Sequence, residues 1–288
     1  MDPIPNLTEL RAHKNGYDTR YKIDNKHPLF NDPLVDPRDP EFGFIDASSY
    51  YSKPNSMTGE KLPGIPDAPL VRLDIAKRLV LADKYLRTSK EVVEILGAPA
   101  HIRIDDALRP YQVQLFAYEV AWPTIIKKLN PKMSDAEIAA QVPNYCAKPH
   151  KYLTPTPHAT GGAVDVALIS LATGEPFNRG HTSGDVQGTA FPDYYEGYQL
   201  IKGQSDIVNS PGLTEFLTKK DEITQSRRVL YFAMTKIAGL YVNPNEIWHY
   251  GRGDPLSAYV SNDNHPYYGI ADLPQWYLDE ISNIEKNY

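Results

Sequence analysis

The sequence has a single cysteine, no long apolar run and no dense cluster of basic residues. A lone Cys146 cannot form a disulfide within the chain. No apolar stretch approaches the roughly 20 residues that a membrane-spanning helix needs. The formal net charge is −6, and a negative chain without a Lys/Arg cluster does not suit a phosphate backbone. The composition therefore predicts neither a membrane nor a nucleic acid as a partner.

Several motifs with a defined chemical mechanism are also absent. The sequence contains no Walker A motif, no GxGxxG, no HExxH, no GxSxG and no paired CxxC. Its first residues, MDPIPNLTEL, lack the basic and then apolar segments of a secretory signal, so the expected location is the cytoplasm. Cys146 lies close to His150 and could be a nucleophile, but a packed thiol is the favoured interpretation.

Proline is abundant at the start of the chain. Residues 1–69 contain ten prolines, and each removes a backbone donor and fixes φ, which excludes a long helix or a central strand. Aromatic residues in the same segment argue against disorder. We therefore predict an irregular arm over residues 1–69, packed on a single domain formed by residues 70–288.

The rest of the chain mixes helical and strand patterns without regular alternation, which favours the α+β class over a doubly wound sheet. Helices are predicted over Asp67–Leu96, ended by Gly97, over Gln112–Leu129 with a kink at Pro123, after the capping box Ser134–Glu137, and over Thr214–Gly239. Strands are predicted over His101–Asp105, Gly161–Ser170 and Leu240–His249.

Two local clusters combine imidazole with carboxylate. In the first, seven positions separate His158 from Asp165, so on a flat strand their side chains would point to opposite faces. The glycine pair Gly161-Gly162 allows a bend that brings both to one site. An imidazole and a carboxylate suit zinc, and three such ligands leave a fourth position open for catalysis. The alternative is an ordinary entry into a strand.

The second cluster is Glu246-Ile-Trp-His249. A glutamate three residues from a metal-binding histidine can act as a base without being a ligand. A third feature is Arg109, which follows the predicted strand and could stabilise an oxyanion, with Asp106 orienting it. A surface salt bridge at a strand end is the alternative for this pair.

Taken together, these residues resemble the D-alanyl-D-alanine dipeptidase family, zinc peptidases related to the vancomycin-resistance dipeptidase. The family's motif Ser-x-His-x-x-Gly-x-Ala-x-Asp is matched by Thr156, His158, Gly161, Ala163 and Asp165. Its Glu-x-Trp-His motif is matched by Glu246, Trp248 and His249, and its Asp-x-x-Arg-Pro motif by Asp106, Arg109 and Pro110. The resemblance covers about residues 100–250.

The resemblance implies an α+β fold with a central antiparallel sheet and flanking helices, shared with peptidoglycan D,D-peptidases and the hedgehog signalling domain. It implies one Zn²⁺ per chain, bound by His158, Asp165 and His249. Glu246 would be the catalytic base and Arg109 the oxyanion donor. Asp106 and Trp248 would lie next to these residues and hold them in place without contacting the metal.

The sequence departs from the family pattern where the substrate would bind. Thr156, which we expect to bind the substrate together with Asp193, replaces a serine but keeps the hydroxyl. The family's Gly-Thr-x-Phe-Asp run, whose aspartate binds the substrate ammonium group, is here Gly188-Thr-Ala-Phe-Pro-Asp193, so Asp193 comes one residue late. The expected substrate is D-Ala-D-Ala or a related small dipeptide. A peptidoglycan D,D- or L,D-carboxypeptidase acting on stem peptides and a non-catalytic, metal-stabilised binding domain remain alternatives, although the latter is expected to lack the glutamate.

Overall fold

The structure is a computed structural model that describes residues 1–12, 22–43, 45–47, 66–144, 146, 148–149, 155–180, 188–197, 213–263 and 265–271. The strands are β1 (Leu34–Val35), β2 (Asp46–Ala47), β3 (Val71–Arg72), β4 (Ala100–Asp106), β5 (Ala163–Ser170), β6 (Tyr241–Asn243) and β7 (Glu246–Gly251). The α-helices are α1 (Thr8–Ala12), α2 (Leu73–Thr88), α3 (Lys90–Leu96), α4 (Tyr111–Phe116), α5 (Trp122–Leu129), α6 (Asp135–Gln141), α7 (Leu213–Phe232) and α8 (Pro255–Val260).

Five strands form one sheet in the order β2–β4–β5–β7–β6, while β1 pairs with β3 in a separate ribbon. The predicted α+β class is confirmed. Strands β4, β5, β7 and β6 pair antiparallel as predicted, but the prediction is wrong for β2, which runs parallel to β4 at the sheet edge. Parallel neighbours need a crossover connection, and α2 and α3 lie between β2 and β4 in the chain.

The main core lies between this sheet and helices α2 and α7. Alternate residues of β4 and β5, including Ile104, Val164 and Val166, are fully buried against residues such as Leu79 of α2 and Val229 of α7. Burying one such side chain contributes about 1.5–3 kcal/mol. Because neighbouring residues of a strand point to opposite faces, the residues between these core positions lie on the other face of the sheet.

The segment predicted as one helix over Asp67–Leu96 contains strand β3 and two helices. The chain leaves the helical conformation at Ser89, whose ψ is 124°. The Ser89 side chain accepts a hydrogen bond from Val92 N at 3.4 Å and so begins α3. Serine favours such a capping position over a helix interior because its hydroxyl competes for backbone groups. Gly97 ends α3 in the left-handed region, at φ 76°, as predicted.

The helix predicted over Gln112–Leu129 is divided by a π turn. Helix α4 leads into a π-helical turn over Ala117–Ala121, and Pro123 lies in the first turn of α5. A proline inside a regular α-helix would lose one hydrogen bond and collide with the preceding turn. The distortion predicted at Pro123 therefore takes the form of the wider turn before it.

Later elements follow their predictions more closely. The capping box that opens α6 is present, with Ser134 Oγ accepting from Glu137 N at 3.3 Å and Glu137 accepting from Ser134 N at 2.8 Å. Helix α7 continues into a π turn that ends before Gly239, which has φ 67°. The strand predicted over Leu240–His249 is two strands, because the chain turns between β6 and β7 at Pro244.

Parts of the proline-rich arm are described and pack on the body. Ile4, Leu7, Phe42 and Ile45 are buried, and three of them join the main core. The boundary between the arm and the domain at residues 69 and 70 stays a prediction. Among the helices that the structure describes, none combines the length and the apolar character required to cross a bilayer.

Candidate metal centre

Three neighbouring strands bring acidic and imidazole side chains into one row. Asp106 at the end of β4 is paired with Asp165 of β5, and Asp165 is paired with His249 of β7. Paired residues on adjacent strands project to the same face, so these side chains lie side by side. The core residues Val164 and Tyr250 flank them in sequence. The row therefore occupies the sheet face opposite the main core.

His158 joins this row from a 3₁₀ turn, Pro157–Thr160, that precedes β5. The turn ends at Gly161, whose φ of 70° is unfavourable for other residues, and a Cβ there would lie 2.7 Å from Leu34 Cδ2. A Cβ on Gly162 would lie 2.9 Å from the carbonyl oxygen of Arg252. The glycine pair is thus the bend that lets His158 and Asp165 meet despite their odd spacing.

The three side chains converge through one atom each. His249 Nδ1 lies 3.0 Å from Asp165 Oδ1, His158 Nε2 lies 3.4 Å from the same oxygen, and the two nitrogens are 3.2 Å apart. Two ligand atoms on a tetrahedral zinc, each 2.0–2.1 Å from the metal, are about 3.3 Å apart. The separations therefore fit a tetrahedral metal ion with one position left open.

Hydrogen bonding supports the same conclusion. His158 Nδ1 lies 2.8 Å from the carbonyl oxygen of Ala107. A carbonyl can only accept, so Nδ1 carries the proton and Nε2 turns its lone pair toward the cluster. Asp165 Oδ1 is buried and, among the described residues, has no partner with hydrogen-bond geometry. An anionic oxygen buried in this way fits a metal ligand.

The charges in the cluster are strongly coupled. Burial opposes ionisation of Asp165, but His158 and His249 outweigh it and hold the pKa of Asp165 below its usual range. Burial likewise opposes a charge on His249, but Asp165 outweighs it and raises the pKa of His249 to about 8. In the metal-free cluster, the Asp165 carboxylate therefore favours the positively charged form of the His249 imidazole.

Glu246 lies beside the cluster without joining it. Its Oε2 is 3.8 Å from His249 Nδ1 and accepts a hydrogen bond from Asn243 Nδ2 at 2.9 Å. Burial is the largest influence on the Glu246 carboxyl and raises its pKa, which suits a proton acceptor working near neutral pH. Asn243, fully buried at the β6–β7 turn, was not identified from the sequence.

Both the backbone and the side chain of Arg109 form hydrogen bonds with described residues near the cluster. Its backbone N donates to the carbonyl of His158 at 3.2 Å, and its guanidinium donates to Asp106 and, at 2.7 Å, to Gln114 Oε1. The ion pair with Asp106 agrees with both sequence interpretations, the oriented oxyanion donor and the salt bridge. The backbone contact brings Arg109 to the 3₁₀ turn that contains His158, which a salt bridge alone does not require.

Gln114 is a further residue that the sequence did not reveal. It is 2% exposed, and its Nε2 donates to Cys146 Sγ at 3.1 Å. Burial raises the pKa of the Cys146 thiol, more than Arg109 lowers it, so the thiol form dominates and the packed-thiol interpretation is favoured. His150, the suggested partner of Cys146, lies outside the described residues.

Replacing Gln114 by methionine tests whether it positions Arg109. For the peptide hydrolysis predicted from the sequence, we expect kcat to fall by less than the roughly 100-fold loss typical when an oxyanion donor is removed, because the contact with Asp106 remains. The KM is expected to change little. Steady-state kinetics would measure kcat and KM separately. The matched control is Gln112→Ala, on the exposed side of α4. An unchanged kcat in the Gln114 variant would mean that Gln114 does not position the guanidinium.

Three other residues predicted from the sequence, Thr156, Asp193 and Trp248, are not among the three converging side chains. Thr156 Oγ1 is buried without a hydrogen-bond partner in the described part of the chain, just before the His158 turn. Asp193 is fully buried, and its oxygens accept from Leu7 N at 2.9 Å and from the Arg11 guanidinium at 2.7 and 2.9 Å. The Trp248 ring lies under the guanidinium of Arg179, 5.8 Å from ring centroid to Cζ.

The fold and the site together define an α+β protein with a buried centre of two histidines and one aspartate that could hold a metal. No protein-family model matches the chain. The chain is 32% identical over 217 residues to a protein of Synechocystis sp. named D-alanyl-D-alanine dipeptidase, an alignment spanning 70% of this chain and 77% of the relative. The chain belongs to the D-alanyl-D-alanine dipeptidase family.

Proposed function

We propose that this protein is a zinc-dependent dipeptidase that hydrolyses D-Ala-D-Ala or a closely related small dipeptide. The observation that carries the proposal is the convergence of His158 Nε2, Asp165 Oδ1 and His249 Nδ1 at separations of 3.0–3.4 Å, with Glu246 beside them. Two imidazoles and a carboxylate form a donor set that suits zinc and leaves a position open.

When bound, zinc would supply Lewis-acid activation of the carbonyl and the attacking water. Glu246 would accept the proton of that water and pass it to the leaving amine. Asn243 holds one carboxylate oxygen of Glu246 during this exchange. Arg109, oriented by Asp106 and Gln114, would donate to the developing oxyanion.

For the substrate, the proposed hydrogen-bonding group near His158 is the buried hydroxyl of Thr156, which has no hydrogen-bond partner among the described residues. The role predicted for Asp193 stays a prediction. Its carboxylate is already engaged by Arg11, so a substrate ammonium group would have to share it. Specificity for the N-terminal end of the dipeptide is therefore expected to differ from that of a site with a free aspartate.

The direct test is D-alanine release from D-Ala-D-Ala by protein loaded with one equivalent of zinc. L-Ala-L-Ala and a stem peptide ending in D-Ala-D-Ala serve as comparison substrates. We expect turnover of the free D,D-dipeptide, little turnover of the L,L-dipeptide, and loss of activity after chelation with recovery on adding zinc. Preferred cleavage of the stem peptide would instead support a carboxypeptidase. Bound zinc without any turnover would support a binding domain.

A further inference from the structure

The two histidines of the proposed metal centre differ in the hydrogen bonding of the ring nitrogen that faces away from the cluster. His158 donates its outward-facing Nδ1 proton to the carbonyl of Ala107 at 2.8 Å. His249 faces the cluster with Nδ1, so its Nε2 must carry the proton when Nδ1 binds a metal. That Nε2 is buried and has no hydrogen-bond partner within the described part of the chain. Metal-binding histidines almost always donate this second N–H to a carboxylate, a carbonyl or a water.

A buried carboxylate oxygen in the same region, that of Asp254, also lacks a hydrogen-bond partner in the part of the chain that the structure describes. Asp254 is fully buried at the start of α8. Its Oδ1 accepts from Leu256 N at 2.8 Å and from Ser257 N at 3.1 Å, which caps the helix. Its Oδ2 has no hydrogen-bond partner among the described residues. Capping the helix therefore explains only one of the two oxygens.

Gly251 links the two unpaired atoms. It lies two residues after His249 on β7, so both positions face the same side of the strand. A Cβ on Gly251 would collide with Asp254 Oδ2. The carboxylate oxygen thus fills the space that a side chain at position 251 would occupy, beside His249. Burial is the largest influence on both pKa values, because it opposes the positive charge of His249 and the negative charge of Asp254. Each of the two groups also favours the charged form of the other electrostatically.

We propose that Asp254 is a positioning residue of the metal centre, whose Oδ2 accepts from the Nε2–H of His249 through one buried water. A single water would satisfy both unpaired atoms, and it would hold the imidazole with Nδ1 toward Asp165. The proposal rests on the proposed function only in that it requires a metal at this cluster. The contact from Asp254 affects metal affinity, whichever peptide is cleaved.

Asp254→Asn and Asp254→Ser separate this role from helix capping. Both variants keep an oxygen that can cap α8, and neither keeps the carboxylate. We expect zinc affinity, measured by competition with a chromophoric chelator, to fall about 10- to 100-fold in both. The thermal midpoint of the metal-free protein is expected to change little. The matched control is Ser261→Ala, which removes a 3.2 Å side-chain hydrogen bond at the other end of α8 and is expected to bind zinc like the wild type.

Wild-type zinc affinity in both Asp254 variants would overturn the proposal and leave Asp254 as a cap alone. Failure of the wild-type protein to bind zinc would instead overturn the metal centre itself. Should the variants not fold, NMR of the zinc-loaded wild-type protein decides the question. A slowly exchanging Nε2 proton on His249 supports the contact, and a freely exchanging one contradicts it.

Discussion

Replacing Glu246 by glutamine is expected to reduce the rate of dipeptide hydrolysis by about 100- to 10,000-fold, the usual contribution of a general acid–base group. Glutamine has nearly the same shape and its carbonyl oxygen can still accept from Asn243, but it cannot take up a proton. Glu246 lies 3.8 Å from His249 Nδ1 and is not one of the three converging groups. Zinc binding is therefore expected to be retained.

The measurement is kcat on the free dipeptide together with bound zinc per chain. Glu94→Gln, an exposed glutamate on α3, is the control for the same chemical change and is expected to have no effect. A Glu246 variant that keeps both its zinc and its full rate would place the base elsewhere. Loss of zinc along with activity would mean that Glu246 serves as a ligand.

The sequence allowed the metal-binding residues to be proposed because each belongs to a short local pattern. The glycine pair between His158 and Asp165 indicated a bend, and the structure has that bend with Gly161 at φ 70°. Which strands become neighbours is set by the whole sheet, so the pairing of Asp165 with His249 could be expected only from the family resemblance. The parallel pairing of β2 was missed for the same reason.

The supporting residues could not be predicted. Gln114 and Asn243 lie five and three residues from Arg109 and Glu246, and their hydrogen bonds form only in the particular turns that the backbone takes there. The role proposed for Asp254 rests on atoms that have no partner among the described residues. No local pattern distinguishes a buried glutamine that holds an arginine from an exposed one two positions earlier. The division at Ser89 is different, because a serine in the middle of a helical pattern is a local signal for a cap.

Replacing Asp165 by asparagine is expected to abolish hydrolysis by removing the metal. The carboxylate is the only anion among the three converging groups, and its Oδ1 lies within 3.4 Å of both imidazole nitrogens. Asparagine keeps the volume but not the charge that offsets a divalent ion. The loss in zinc affinity should therefore exceed the roughly 10- to 100-fold cost of losing an outer partner, such as Asp254.

Thermal unfolding with and without zinc would measure the effect of Asp165→Asn. A ligand present at about 1,000 times its Kd stabilises the folded state by about 4 kcal/mol, and each tenfold rise in Kd removes about 1.4 kcal/mol of this. We expect a large zinc-induced shift in the wild-type Tm and almost none in the variant. Asp46→Asn, an exposed carboxylate on edge strand β2, should keep the full shift. A preserved shift in the Asp165 variant would mean that zinc binding does not depend on Asp165, the carboxylate that meets both imidazole nitrogens among the described residues.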